Sequence, residues 1–222
     1  MLQLLGALLR LLFVGIVAWI LFLYKRNQEY ALSKNEHELA SLKAQVNPHF
    51  LFNVLNSIYA LALKKSDNLA DAISKTSDMM RYNIEESKKR FVSLEQELRY
   101  IQDYVAIQQL RLTSRTKVTC NIKGDFSGRH IEPLLVIAFI ENAFKYGVST
   151  EKESNIALDI EMDGDVFKLT IYNDKVRLVS DTIGTGIENT VKRLNYTYNG
   201  QYELDISDLE HHYTVNLSIR MP

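Results

Sequence analysis

Asn155-Ile156-Ala157-Leu158-Asp159-Ile160-Glu161-Met162, then Asp163-Gly164-Asp165, then Val166-Phe167-Lys168-Leu169-Thr170-Ile171-Tyr172-Asn173 is the stretch from which the architecture follows. In both runs apolar and polar residues alternate, the period of a strand with one face buried. Asp-Gly between two such runs is a strong hairpin signal. Upstream, Val118, Cys120 and Ile122 alternate in the same way and predict another strand. Pro133 suits the first turn of a helix. Leu134 to Ile140 is continuously apolar, which predicts a helix buried nearly all round until Glu141. Downstream, Asp174 to Gly184 reads as a polar loop and about Ile187 to Tyr198 as a helix, stopped at Asn199-Gly200. Two last strands follow, with Tyr202, Leu204 and Ile206, then Tyr213, Val215, Leu217 and Ile219. Strands interspersed with helices in this order predict an α+β sandwich, helices against a mixed sheet.

The preceding segment is helical throughout. Ser93-Leu94-Glu95-Gln96 is a capping box opening a helix that reaches about Leu112. Another runs from about Leu69 to Ser87, with Ile73, Met79, Met80 and Ile84 apolar. Before Lys64-Lys65-Ser66-Asp67-Asn68, a broad stripe at i, i+3, i+4 spacing takes in Phe50, Leu51, Val54, Leu55, Ile58, Leu61 and Ala62. Two such helices form a hairpin that leaves apolar surface exposed, and dimerisation into a four-helix bundle covers it. Pro48 interrupts the helical run, because its ring clashes with the carbonyl of Ala44. The resulting bend presents His49, with Asn53 four residues on and on the same face. Leu32, Leu39, Leu42 and Val46 form a short seam that suits either a partner helix or a solvated linker.

The chain has 222 residues, 46% of them apolar, and a net charge of −1 from 26 basic and 27 acidic side chains. With no basic field, general nucleic-acid binding is not favoured. The lone Cys120 forms no internal disulfide and no zinc-type spacing exists. Residues 1–24 are interrupted by one charge, Arg10. As a helix they rise roughly 36 Å, enough for a bilayer core of about 30 Å. Trp19, Tyr24, Lys25 and Arg26 mark the far end, and the basic pair favours a cytoplasmic side for the rest of the chain. The expectation is a single membrane anchor in the cell's inner or cytoplasmic membrane, in contact with lipid. A signal peptide fits less well, for lack of a small-residue cleavage site.

Three features carry chemistry. His49 is a candidate nucleophile, since neutral imidazole holds a lone pair near pH 7. Asn142 offers an amide oxygen suited to Mg²⁺ when phosphates complete the shell. Lys145 shares its helical face and can pair with phosphate, and Glu141 can orient or polarise an acceptor. Read alone, this cluster also fits an ordinary helix end. Gly184-Thr185-Gly186-Ile187-Glu188-Asn189 places glycines before a helix N-terminus, where amides cradle phosphate. A plain turn has the same look, and no Walker signature is present.

Leu42 to Asn53 with Leu55-Asn56-Ser57-Ile58 resembles the phosphoacceptor box of the LytS/YehU-type sensor histidine kinases. Glu141 to Gly147 resembles their asparagine box. Gly184 to Asn189 with Arg193-Leu194 resembles their glycine box. The likeness runs over roughly residues 35 to 220, in order. It implies a dimeric helical domain, here residues 25–90, joined to a Bergerat-type (GHKL) ATP-binding α/β sandwich, here 91–222, while the apolar run places the anchor at 1–24. It further implies that His49 is autophosphorylated from ATP with Mg²⁺ and passes the phosphoryl group to a response regulator, in many members one with a LytTR-type DNA-binding domain. Asn142 would hold the metal, and Asn142, Lys145, Asn173, Gly184, Gly186, Asn189 and Arg193 the nucleotide, with His49 and Glu141 catalytic. Two positions depart from the pattern. Tyr146 stands where the family has histidine, and Asn173 where an adenine-binding aspartate is usual. The second departure leaves a non-enzymatic reading open: a dimeric membrane adaptor with a vestigial nucleotide domain.

Overall fold

The computed structural model describes Trp19, Tyr24, Lys25, Leu55, Asn56, Ile58, Tyr59, Ala62, Leu63, and residues 67–176 and 185–221. His49, Asn53, Gly184, the leucine seam and most of the expected membrane helix lie outside the described residues. The chain divides into two compact units, Met1–Gln45 and Val46–Pro222. In the first, Trp19, Tyr24 and Lys25 are helical and exposed. Among the described residues no helix is long and apolar enough to cross a membrane.

The second unit is α+β. Its elements run α1 (Leu69–Glu85), β1 (Val92–Ser93), α2 (Leu94–Gln109), β2 (Thr116–Lys123), β3 (His130–Ile131), α3 (Ile137–Gly147), β4 (Ser154–Asp163), β5 (Val166–Asp174), α4 (Thr185–Thr197), β6 (Tyr202–Asp208) and β7 (His212–Arg220). Five strands form a mixed sheet in the order β2-β4-β5-β7-β6. Only β2 and β4 pair in parallel, in register from Thr116↔Ser154 to Lys123↔Glu161. Their connection passes through α3, as a parallel pair requires. β4 and β5 turn through Gly164 at φ 59°, the left-handed value that the first position of a two-residue II′ turn takes.

Alternation sets the two faces of the sheet. Ile156, Leu158, Ile160, Phe167, Leu169, Ile171, Val215, Leu217 and Ile219 are buried against the helices. The opposite face is polar, with Asn121 Nδ2 donating to Asp159 Oδ1 at 2.8 Å and Thr170 Oγ1 to Asn216 Oδ1 at 3.2 Å. Ile101, Tyr104, Val105, Phe139, Ile140 and Leu194 supply the helical side of the same core.

α2 begins at the predicted capping box. Ser93 Oγ accepts from the Gln96 amide and Gln96 Oε1 from the Ser93 amide, both at 3.3 Å. Such a cap contributes about 1 kcal/mol. α1 packs on α2 through Ala72, Thr76 and Met79 at i, i+4, i+7. Ile73 and Ile84, counted in the expected stripe, are instead 49% and 63% exposed. α1 thus has a second apolar side that its packing on α2 leaves uncovered.

The helix expected from Pro133 starts later, at Ile137. Residues 133–136 form a turn with Leu134 at φ 54°. The Pro133 and Leu134 carbonyls point to Arg193 rather than into a helical ladder. The two-residue pair β1–β3 had no periodic signal; it matches Val92 with Ile131 and Ser93 with His130.

Candidate nucleotide site

α3 carries Glu141, Asn142 and Lys145 at the rim of the core. Ile137, Phe139, Ile140, Ala143, Phe144 and Gly147 are buried, while Glu141 and Asn142 are half-buried and Lys145 is exposed. The abrupt change at Glu141 is a change of surroundings along one rigid helix. Tyr104 stands edge-on to Phe144, with ring centres 5.7 Å apart. Burial holds the Tyr104 hydroxyl well above its ordinary pKa, and the Glu141 charge adds to it. Lys145 Nζ lies 5.0 Å from the centre of the Tyr146 ring, the position that has histidine in the resembling family.

The C-terminal end of α3 meets the end of β5. The Tyr146 carbonyl accepts from the Val176 amide at 3.2 Å. A Cβ on Gly147 would lie 3.0 Å from Asn173 Cβ and from Ile156 Cγ1. Only glycine therefore allows this approach without displacement. Asn173 is fully buried. Its Nδ2 donates to the Asp174 carbonyl at 3.1 Å, while its Oδ1 is buried without a hydrogen-bond partner. A buried acceptor left unmet costs about 1–3 kcal/mol, so its retention calls for an explanation. Beside it, the Asp174 carboxylate accepts from Asn155 N and Nδ2 and from the Tyr172 hydroxyl. Burial works to raise the Asp174 pKa, and these bonds outweigh it to leave it below the ordinary range.

α4 is in contact with α3. Gly186 is exposed at its N-terminal turn, and its carbonyl accepts from Thr190 Oγ1 at 2.9 Å. A Cβ there would meet open space, so packing does not explain this glycine. Asn189 is half-buried on the same helix.

Arg193 does not join this group. It is buried, and its Nε donates to Glu132 Oε1 at 3.0 Å, its Nη1 to the Leu134 carbonyl at 2.9 Å and its Nη2 to the Pro133 carbonyl. Glu132 Oε2 also accepts from Thr197 Oγ1 at 2.8 Å, and the Glu132 amide donates to the Tyr198 hydroxyl at 2.9 Å. Each guanidinium nitrogen has a partner inside the fold, where the sequence had pointed to the nucleotide. The arrangement bolts α4 to the turn before α3.

Sequence reasoning missed Glu132 and Glu97, the two buried carboxylates among the described residues. Glu97 Oε2 accepts from the Tyr82 hydroxyl at 2.6 Å and from the Leu134 amide at 3.0 Å, with Oε1 buried and unpartnered. Burial drives its pKa up, against those two bonds and the Arg193 charge. A signal existed: Glu97 falls on the face of Leu94, Leu98 and Ile101, where a helix of this pattern is apolar. Among the described residues no cluster of His, Cys, Asp and Glu is fit to hold a metal.

The family model described as histidine kinase matches residues 37–116, a span that includes His49. Over 150 residues, 68% of this chain and 24% of the relative, the sequence is 31% identical to the sensor histidine kinase/phosphatase LytS of Staphylococcus aureus strain MRSA252, and equally to that of strain Mu50. The chain thus spans about a quarter of the length of the curated relatives it matches. Among solved structures, the histidine kinase domain of the blue-light activated histidine kinase from Erythrobacter litoralis EL346 is 16% identical, over 84% of this chain and 95% of that one, with a TM-score of 0.44. Histidine kinase ThkA in complex with response regulator protein TrrA is 15% identical, over 86% and 66%, with a TM-score of 0.40.

Proposed function

The chain belongs with the LytS-type sensor histidine kinases, and on that premise we propose that it is the signalling core of one. Residues 1–24 anchor it in the cytoplasmic membrane, 25–90 form a dimeric helical domain bearing His49, and 91–222 form an ATP-binding domain of the Bergerat type. Its activity is ATP-dependent phosphorylation of His49, then transfer to an aspartate of a response regulator, which in this family often carries a LytTR-type domain.

The neutral His49 ring nitrogen donates its lone pair to the γ-phosphorus while the bond to the β,γ-bridging oxygen breaks and ADP departs. The protein's contribution is placement and charge balance. The observation that carries the reading is Asn173: a fully buried amide whose Oδ1 has no partner, beside the helix that bears Asn142. An amide oxygen there accepts from the exocyclic amino group of adenine. Lys145, free to swing at the surface, pairs with phosphate, and Gly186 with Asn189 lies where the glycine turn meets α4. The Asn142 amide oxygen would hold Mg²⁺, which would supply neutralisation of phosphate charge. Glu141 orients or polarises the acceptor. The uncovered apolar side chains Leu55, Tyr59, Leu63, Ile73 and Ile84 support pairing of two helical domains.

The test is incubation of the full chain with Mg²⁺ and γ-labelled ATP, beside His49→Gln. Acid-labile, alkali-stable label that vanishes in His49→Gln while ATP binding persists is the expected result. Label that survives the substitution refutes His49 as acceptor. The uncharged Asn173 also favours the adaptor reading, which predicts a folded chain that binds no ATP.

A further inference from the structure

Three helices converge on the backbone of one residue. The Leu134 amide donates to Glu97 Oε2 on α2, and that same oxygen accepts from the Tyr82 hydroxyl of α1. The Leu134 carbonyl accepts from Arg193 of α4. Three residues further on, α3 begins. Among the described residues Leu134 is the one non-glycine with a positive φ. A left-handed leucine is unfavourable by about 1–2 kcal/mol, so its surroundings hold it there.

Glu97 contributes only one oxygen to this arrangement. Oε1 has no hydrogen-bond partner, so the carboxylate is held chiefly through Oε2 by Tyr82 and Leu134, with a weaker pull from the Leu135 backbone. Removing the Tyr82 hydroxyl frees Glu97 to turn, and the Leu134 amide then loses a fixed acceptor. We propose that Tyr82 and Glu97 are positioning residues for the nucleotide helix: docking of α1 on α2 fixes, through the Leu134 peptide, the entry of α3 and hence the placement of Asn142. In sequence α1 follows the segment that carries the proposed phosphoacceptor, so a signal that shifts α1 reaches the ATP site by this route. The meaning for catalysis rests on the function proposed above; the mechanical link does not.

Hydrogen exchange read by mass spectrometry on the full 222-residue chain in detergent, without nucleotide, tests the link directly. Tyr82→Phe keeps the ring against Tyr100, 5.0 Å between centres, and removes only the hydroxyl. Exchange across residues 134–147 should become about threefold faster or more, the scale of one lost buried hydrogen bond. The dissociation constant for ATP should rise by a similar factor. Asn83→Ala loosens the same α1–α2 contact, losing the bonds to the Met79 carbonyl and the Tyr100 hydroxyl, but reaches no atom of Leu134. It should leave exchange at 134–147 unchanged. Glu97→Gln keeps an oxygen for both donors and should stay close to wild type. Unaltered exchange in Tyr82→Phe overturns the proposal, as does equal acceleration in Asn83→Ala, or an ATP affinity that ignores a real change in exchange. Altered exchange in a chain that binds no ATP upholds the link and overturns the ATP reading instead.

Discussion

Arg193→Met separates an architectural arginine from a nucleotide-contacting one. Methionine keeps the length and packing of the stem but leaves Glu132, only 1% exposed, without its cation. Breaking a buried pair from one side costs about 3–5 kcal/mol, because the remaining charge is uncompensated. The Pro133 and Leu134 carbonyls lose their donors as well. For a domain of this size the loss corresponds to a fall in Tm on the order of 10 °C. The assay is urea unfolding followed by circular dichroism, at pH 7 and without nucleotide. An arginine that served only ATP would be silent under these conditions. Adding Glu132→Gln removes the stranded charge while keeping an acceptor for Thr197. The double variant should therefore recover at least about 1 kcal/mol relative to Arg193→Met alone, the coupling expected of groups in one network. A loss under about 1 kcal/mol for Arg193→Met, or strict additivity in the pair, would refute the reasoning.

Gly147→Ala forces a methyl to within 3.0 Å of Asn173 and Ile156 and should cost about 1–3 kcal/mol in urea unfolding, with weaker ATP binding. Asn173→Ala removes an acceptor that has no protein partner but also the Nδ2 donor to the Asp174 carbonyl, so unfolding should cost about 1–3 kcal/mol while ATP affinity falls at least tenfold; a stability loss with unchanged ATP affinity would make Asn173 structural. Glu97 has its pKa raised by burial, so the folded chain binds this proton more tightly than the unfolded chain. The stability it contributes is complete below the unfolded value of about 4.3 and is lost as pH rises through the higher folded value. Stability curves of Glu97→Gln should be flatter over that window, and parallel curves would contradict the assignment.

The strands were legible because each buries one face only. Asn155 to Asn173 alternates since the far side of the sheet faces water, and the Asp-Gly turn fixed where the chain reverses. The capping box was legible because both of its partners lie within four residues. What failed was anything decided from afar. Pro133 and Leu134 look like a helix start, yet Arg193, about sixty residues away, takes their carbonyls and delays the helix to Ile137. Arg193 was drawn to the nucleotide by its neighbours in sequence, whereas its buried partner Glu132 is distant in sequence. In α1 the stripe was seen, but Ala72 and Thr76, small or polar, form the buried face that Ile73 was expected to supply. Asn142, Lys145 and Asn173 were all named from sequence; that Gly147 brings their helix against Asn173 required the structure.

Leu134 also constrains how this protein can vary. Its backbone favours glycine or asparagine, and its side chain, 4% exposed, favours a large aliphatic group. Glycine would relieve about 1–2 kcal/mol of backbone cost but forfeit roughly 2–5 kcal/mol of packing. Valine or isoleucine would keep the apolar bulk but place a branched Cβ where the left-handed backbone tolerates it least. Each single substitution trades one demand against the other, so a saturation library at this codon should return leucine, with methionine as its nearest rival, and little else.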